Sequence, residues 1–392
     1  MAKNFEFVSK DQKADNEQIR PSLTYWKDAW RRLKKNKMSM VGLVFVVLIF
    51  LFAYIGPLFT PYTYSQQQSD YINLPPKLKI YQIEDNVNVF MSGQYYLLTT
   101  DDTGLLTGRL PLSRRDTINR IYYYWYGDEE IGVDFSYRVL DPDGPIDYAI
   151  LYKGATIEQP TDTVWNKAYL FGTDDIGRDI LTRLMYGAQI SLEVAFAATA
   201  VMVLIGVTYG SISGFEGGKV DNIMMRIVDI INSIPLVIYV ILLMVMLDKS
   251  NLGTVILALA SVYWVGMARL VRGQILGLKE QEFILAARTI GVSKAKIIFR
   301  HLIPNSLGPI LVSLTMMIPT AIFTEAFLSF IGIGISAPAA SWGTMANASY
   351  QALEKYPYQM LFPALAIAIT VLAFNFLGDG LRSALDPKLR KG

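Results

Sequence analysis

Six stretches of about 20 residues or more, almost free of charge, restrict this chain more than any other feature. They run from Ser39 to Phe59, then over roughly 188–213, 227–247, 250–268, 305–333 and 357–378. At 1.5 Å per residue the first reaches about 31 Å, close to the hydrocarbon thickness of a bilayer. Backbone polar groups in lipid have no water to bond, so runs of this length are stable as helices that satisfy themselves. The expectation is an all-α integral membrane protein with six transmembrane helices. The composition agrees: 52% of residues are hydrophobic and 18% charged, against about 25% charged in a soluble domain. The first 38 residues are polar and basic, with no cleavage site after the run that follows, so that run reads as a retained first span, 39–59.

Six spans put both termini on one side. Lys and Arg number ten in residues 1–38, six in 271–304 and four in 380–392, but one each in 248–249 and 336–356. Basic loops stay in the cytoplasm, so the expected cytoplasmic parts are the segment 1–38, the loop 271–304 and the tail 381–392. Within the first, Leu23, Trp26, Trp30 and Leu33 share one helical stripe opposite Lys and Arg, the pattern of a helix lying in the interface. The formal net charge of +2 gives no reason to expect a nucleic-acid partner. No cysteine and a single histidine exclude thiol nucleophiles, Cys-based zinc and iron–sulfur sites, and a His-rich metal site.

Between the first and second spans lies an insertion, 60–170, expected outside. It holds 14 of the 23 tyrosines, seven of them in "INRIYYYWYG", "VDFSYRVL" and "IDYAILYKG", with "GDEE" and "DPDGP" between these stretches. This is the pattern of short strands and turns. Residues 60–186 carry 11 Lys plus Arg and 18 Asp plus Glu, a net of −7. Such tyrosines suit either a receiving surface for a partner or the domain's own core. A cysteine-free extracytoplasmic domain fits a bacterial, Gram-positive host.

The least membrane-like stretch of the second half is "EFILAARTIGVSKAKIIFRHLIPN", 282–305. Two short helices are expected, 281–290 and 294–303, with Gly291 left-handed between them, Ser293 capping the second and Pro304 stopping it. Phe283, Ile284, Ile290, Ile297, Ile298 and Phe299 exceed what a free loop needs. The resulting ledge should bury its apolar face against the chain's own helices or in another protein's groove.

Within that ledge, "AARTIGVSKAKIIFRHLIPN" resembles the EAA loop of ABC-importer permeases: Glu-Ala-Ala, three residues, Gly, nine residues, Ile-x-Leu-Pro. Ala286, Ala287, Gly291 and Pro304 match in register. Leu285 stands at the family's Glu, with Glu282 one turn earlier, His301 at its Ile and Ile303 at its Leu. "FGTDDIGRDILTRLMYGAQISL", "TEAFLSFIGIGISAPAASWGTM" and "LFPALAIAITVLAFNFLGDGLRSALDPKLR" are similar to the C-type permease subunit of oligopeptide and dipeptide importers, so the resemblance covers nearly all of 171–390. It implies the type I ABC importer fold over 171–380 and a non-enzymatic role in alternating access. The implied partners are a homologous second permease, two cytoplasmic ATPases that carry ATP and Mg, an extracytoplasmic solute-binding lipoprotein and membrane lipid. Coupling helices at about 281–304 would seat in the ATPase through Glu282, Ala286, Ala287, Gly291, Arg300, His301 and Pro304. A nickel or oligosaccharide importer would share this scaffold; an ion channel, a different class, would lack the docking loop.

No nucleotide site is expected here: in "SGFEGGKV", the nearest approach to a P-loop, Ser213 stands at the required first Gly and Val220 at the required Ser or Thr. Asp229 and Glu325 are ionisable groups in or beside spans, which mark either a translocation pathway or an internal pairing. Pro235 and Pro319 are expected to kink their spans. "FGTDDIGRDILTRLMYG" reads as an elbow that sets how the second span enters the bilayer, with Asp174 or Asp175 as its cap.

Overall fold

The computed structural model describes residues 25–137, 147–247, 251–335 and 339–385. Helix α1, Tyr25–Lys35, precedes α2, Lys37–Tyr54, whose first turn is capped by the Asn36 side chain accepting from the Ser39 amide. In α1 Leu33 is buried while Trp30 is 46% exposed; Leu23 lies outside the described residues. The outer face of α2, with Val44, Phe45, Leu48 and Leu51, is exposed. That is the surface of a helix whose partner on one side is lipid.

The spine of the bundle is α3, Ile180–Glu216, an unbroken 37-residue helix about 55 Å long. It begins eight residues earlier than the apolar run because Asp179 caps it, accepting from the Thr182 amide at 2.8 Å. Asp174, one of the two expected caps, instead accepts from Arg178 Nε at 2.7 Å and pairs with Arg183 in the buried elbow. Against α3 lies α6, Leu252–Leu278, and the closeness of that pair rests on Gly206, Gly210 and Gly214, one turn apart on the same face. A β-carbon at Gly210 would sit 2.3 Å from the Ala268 carbonyl oxygen.

The third run is not a straight helix. It divides into α4, Gly218–Ser233, and α5, Leu236–Leu247, bent by 88°. Pro235 is the cause: it pushes Ile234 into extended backbone, φ −85 and ψ 124, and offers no N–H to continue the ladder. Among the described residues five helices are long and apolar enough to cross a membrane, and this bent pair makes six if it counts as one span. Pro319 differs. It lies buried inside α9, Ile303–Phe330, which continues through it.

The ledge consists of α7, Glu282–Thr289, and α8, Lys294–Ile297. Ser293 occupies the N-cap position of α8 without a side-chain capping bond. Pro304 does not end the second ledge helix. A π turn, Ile298–Leu302, widens the backbone ahead of it and carries the helix straight into α9, which relieves the clash of the proline ring with the preceding turn. Two helices complete the described residues: α10, Trp342–Tyr350, with a Ser341/Thr344 capping box, and α11, Pro357–Leu385.

The described residues of the insertion fold into two five-stranded antiparallel sheets. One has the order β10-β1-β2-β3-β4, from Asp162–Trp165, Lys77–Glu84, Val87–Met91, Leu97–Thr100 and Leu106–Arg109. The other runs β5 to β9 in sequence: Leu112–Asp116, Ile121–Tyr126, Glu129–Asp134, Ala149–Tyr152 and Ala155–Ile157. "DPDGP" lies outside the described residues, and of the described residues of "VDFSYRVL" the first two lie in a strand. The tyrosines are mostly spent on this domain's own packing. Tyr81, Tyr124, Tyr152 and Tyr169 are buried, and of the fourteen only Tyr95 is exposed. Tyr124 donates to the Tyr95 carbonyl at 2.7 Å, and burial pushes its phenol up to about 12.

Candidate coupling site

The ledge and the insertion sit at opposite ends of α3. At the insertion end Leu74 N donates to Thr173 Oγ1 at 2.8 Å, and Gln359, at the start of α11, donates to Asn73 Oδ1 at 2.7 Å and to the Thr173 carbonyl at 3.0 Å. At the other end the underside of the ledge closes over the last turn of α3. Ile284, Ala287, Ile297, Ile298 and Leu302 are buried there with Phe215, Met267 and Ile275.

Local chemistry sets the shape of the ledge. Gly291 has φ +78; its amide donates to the Arg288 carbonyl and that of Val292 to the Ala287 carbonyl. That pair of bonds is the Schellman ending, which requires a left-handed residue where a β-carbon is penalised. The chain then turns directly into α8.

The apolar residues of this segment divide between two faces. Ile284, Ile297 and Ile298 pack inward, while Phe283, Leu285, Ile290 and Phe299 are 44%, 45%, 79% and 61% exposed. Of the residues expected to meet an ATPase, Glu282, Ala286, Gly291, Arg300 and Pro304 are exposed and His301 is half-buried. Ala287 is not available: at 7% exposure it is part of the packed underside. Four large apolar side chains on an otherwise charged ledge form a patch that a partner would cover.

Asp229 and Glu325 are both already engaged. Asp229 of α4 accepts from Arg269 of α6 at 2.7 Å, with both side chains about half exposed. Glu325 is wholly buried, and its two oxygens accept from Ser191 and Ser329, each at 2.8 Å. Within this chain each therefore ties helices together. An apolar cavity of about 450 Å³ opens instead between α9, α10 and α11, lined by Phe323, Ala326, Phe327, Phe330, Met360 and Ile367 among others.

The charges beneath the ledge escaped the sequence reading. Lys294 meets Glu216 at 2.9 Å, Lys279 donates to the Gly214 carbonyl at 3.1 Å, and the Arg288 guanidinium stands over the Phe215 ring at 5.0 Å. The available signal was "GFEGG", a paired-glycine turn between two apolar runs. The four-residue spacing of Gly206, Gly210 and Gly214 likewise announces close helix packing.

Residues 206–391 match the profile of the binding-protein-dependent transport system inner membrane component, and residues 24–76 that of the N-terminal TM domain of oligopeptide transport permease C. The oligopeptide transport system permease protein OppC of Bacillus subtilis (strain 168) is 41% identical over 378 residues, 96% of this chain and 94% of that protein. The chain belongs to the binding-protein-dependent transport permeases. The dipeptide transport system permease protein DppC of the same organism is 38% identical over 383 residues, covering 97% and 91% of the two chains. Among solved structures, the inward-facing MetNI methionine ABC transporter aligns with 52% of this chain and 96% of that chain at 22% identity, with a TM-score of 0.43. As a permease of this family the chain has the type I ABC importer membrane fold, with a β-rich insertion between the first and second spans.

Proposed function

We propose that this permease forms half of the translocation pathway of an ATP-driven peptide importer. The observation that carries the reading is the exposed apolar face of Phe283, Leu285, Ile290 and Phe299, held outside the bundle on a ledge whose underside is already filled. A family member that is similar to oligopeptide and dipeptide permeases over nearly its whole length has, in such a face, the seat for an ATPase. ATP and Mg belong to two such partner subunits, and this chain needs no cofactor of its own. A homologous second permease covers the apolar cavity beside α9 and α11, and an extracytoplasmic binding protein delivers the solute. Co-expression of this chain with the candidate partner subunits should yield one complex whose ATP-dependent uptake in proteoliposomes favours a labelled oligopeptide over Ni²⁺ or an oligosaccharide. Preference for either of the latter would move it to a nickel or sugar importer, and ion conduction by the chain alone would reassign its class.

The orientation we assign places both termini and the ledge in the cytoplasm of a bacterial, Gram-positive cell, and the insertion outside. The native chain has no cysteine, so single reporters are unambiguous. A membrane-impermeant maleimide on intact cells should label Ile118→Cys, on a turn where the side chain is 90% exposed, and spare the exposed ledge site Ser293→Cys. The reverse labelling pattern would invert the topology.

The insertion has a net charge of −7 over 60–186, and we assign it a part in receiving the binding protein through its charged surface rather than its tyrosines. Its ends lie together, the Asn166 amide donating to the Pro76 carbonyl at 2.9 Å, so residues 77–165 can be replaced by a short Gly/Ser linker without pulling on the bundle. That deletion should preserve assembly and lose most binding-protein stimulation of ATP hydrolysis. In the intact transporter stimulation should weaken with salt, since exposed charges are screened beyond about 8 Å at physiological ionic strength. Full stimulation after deletion would end this assignment.

A further inference from the structure

We propose that residues 213–221, the turn between α3 and α4, are the socket through which ledge movement enters the bundle, with the Glu216–Lys294 ion pair as its working link. This deepens the coupling reading above and rests on it. Both ledge helices are fastened to this one turn. The first is held by Arg288 over Phe215, the second by Lys294 Nζ, which reaches both carboxylate oxygens of Glu216 at 2.9 Å. The turn is in turn held to α6. Asp221, 6% exposed, accepts from Arg272 Nε and Nη2 at 2.6 Å each and from Ser213, and Lys279 closes on the Gly214 carbonyl. Gly217 and Gly218 both have positive φ, 67 and 54, which lets the chain reverse directly from α3 into α4. A push on the ledge is thus delivered to the end of the 37-residue spine whose other end lies at the insertion.

Placement of the pair argues that it exists for this link. Glu216 is the last residue of α3 and Lys294 the first of α8. An acid at a helix C-terminus and a base at an N-terminus both oppose the helix dipole. Local helix stability would favour the opposite charges, so the contact across 78 residues is what the native signs satisfy. The pair is also half open to water, 69% and 34% exposed at the side chains, and exposed pairs add little to folding stability. Glu216 and Lys294 are positioning residues for coupling, not braces.

The experiment compares Glu216→Lys, Lys294→Glu, the double reversal and Gly291→Val in the complete transporter reconstituted with its ATPases, second permease and binding protein. It reads peptide imported per ATP hydrolysed, together with thermal stability. Each single reversal sets like charges against each other and should lower the ratio about fivefold, a factor matching a single modest interaction, with the melting temperature unchanged. The double reversal restores the pair, with both signs now favoured by the dipoles, and should recover at least half the ratio. Unchanged single variants would overturn the proposal. So would a loss that the double variant fails to recover, which would mean Lys294 serves the ATPase directly, or a stability loss that parallels the uptake loss. Gly291→Val separates the two readings: if it uncouples while the reversals do not, the socket is wrong and the ledge stands. If neither uncouples, the coupling reading itself fails.

Discussion

Gly291→Val is expected to reduce peptide uptake at least tenfold while the assembled transporter continues to hydrolyse ATP. Nothing lies within 4 Å of a β-carbon built on Gly291, so the substituted side chain meets no neighbour. The whole effect comes from φ +78, a backbone region in which a β-branched residue is a true outlier. Holding that strain costs about 1–3 kcal/mol. The ledge can escape it only by returning φ to negative values, which breaks the Schellman bonds at Gly291 and Val292 and re-aims α8 relative to α7. Because Phe283 and Leu285 stand on one side of the hinge and Phe299 on the other, re-aiming separates residues that, in the proposed coupling, meet one groove together. Gly291→Ala should give a partial loss and Gly291→Asn a smaller one, since Asn tolerates the left-handed region better than other side chains. Uptake and ATP turnover measured in the same proteoliposomes check the order. Wild-type uptake in Gly291→Val would remove the hinge from the mechanism.

Gly210→Leu should prevent the complex from forming, a larger effect on the amount of assembled protein than any substitution on the ledge. Its β-carbon would fall 2.3 Å from the Ala268 carbonyl oxygen and 3.0 Å from the Arg272 amide nitrogen and the Val271 β-carbon. Backbone cannot step aside as a side-chain tip can, so α3 and α6 must separate. Gly206, whose β-carbon would fall 2.6 Å from Met267 Cβ, and Gly214, whose β-carbon would fall 2.9 Å from the Arg272 carbonyl oxygen, lie on the same seam, and separation at one opens all three. Overpacking a well-filled site ordinarily costs about 1–3 kcal/mol, and parting a helix pair adds the lost packing along its length. Even Gly210→Ala should lower the melting temperature of the detergent-purified complex. Gly273→Ala on α6 is the control: nothing stands within 4 Å of its β-carbon, and replacing a helical glycine by alanine gains about 1 kcal/mol from propensity alone. Equal stability of the two alanine variants would show that the close approach of α3 and α6 is not what holds this pair.

How much of the candidate site could be read without the fold depends on the range of each interaction. Gly291 and the two ledge helices were legible because a helix ending, a left-handed residue and a new helix start are written within about ten consecutive residues. The boundary at Pro304 was misread for an equally local reason. A proline normally halts a helix, but a π turn of five residues absorbed it and the helix ran on. The tyrosines of the insertion illustrate the opposite limit. Their number suggested either a core or a surface, and only the pairing of ten strands into two sheets buried Tyr81, Tyr124 and Tyr152 together.

By itself the sequence determined which segments are apolar enough to cross a membrane, where a β-rich domain interrupts them and where the two short ledge helices begin and turn. These depend on hydropathy summed over a span, on alternation along a strand and on the backbone freedom of one glycine, all properties of neighbouring residues. Only the tertiary structure decided which apolar residues of the ledge face outward, that Ala287 lies beneath it, and that the third apolar run bends by 88°. It alone gave Asp229 and Glu325 their partners, and joined Glu216 to Lys294. Glu325 and Ser191 are 134 residues apart and Glu216 and Lys294 are 78 apart. Such contacts exist because α3 packs against α6 and α9 at one particular rotation, and that rotation is set by the shapes of facing side chains, which no local pattern along the chain encodes.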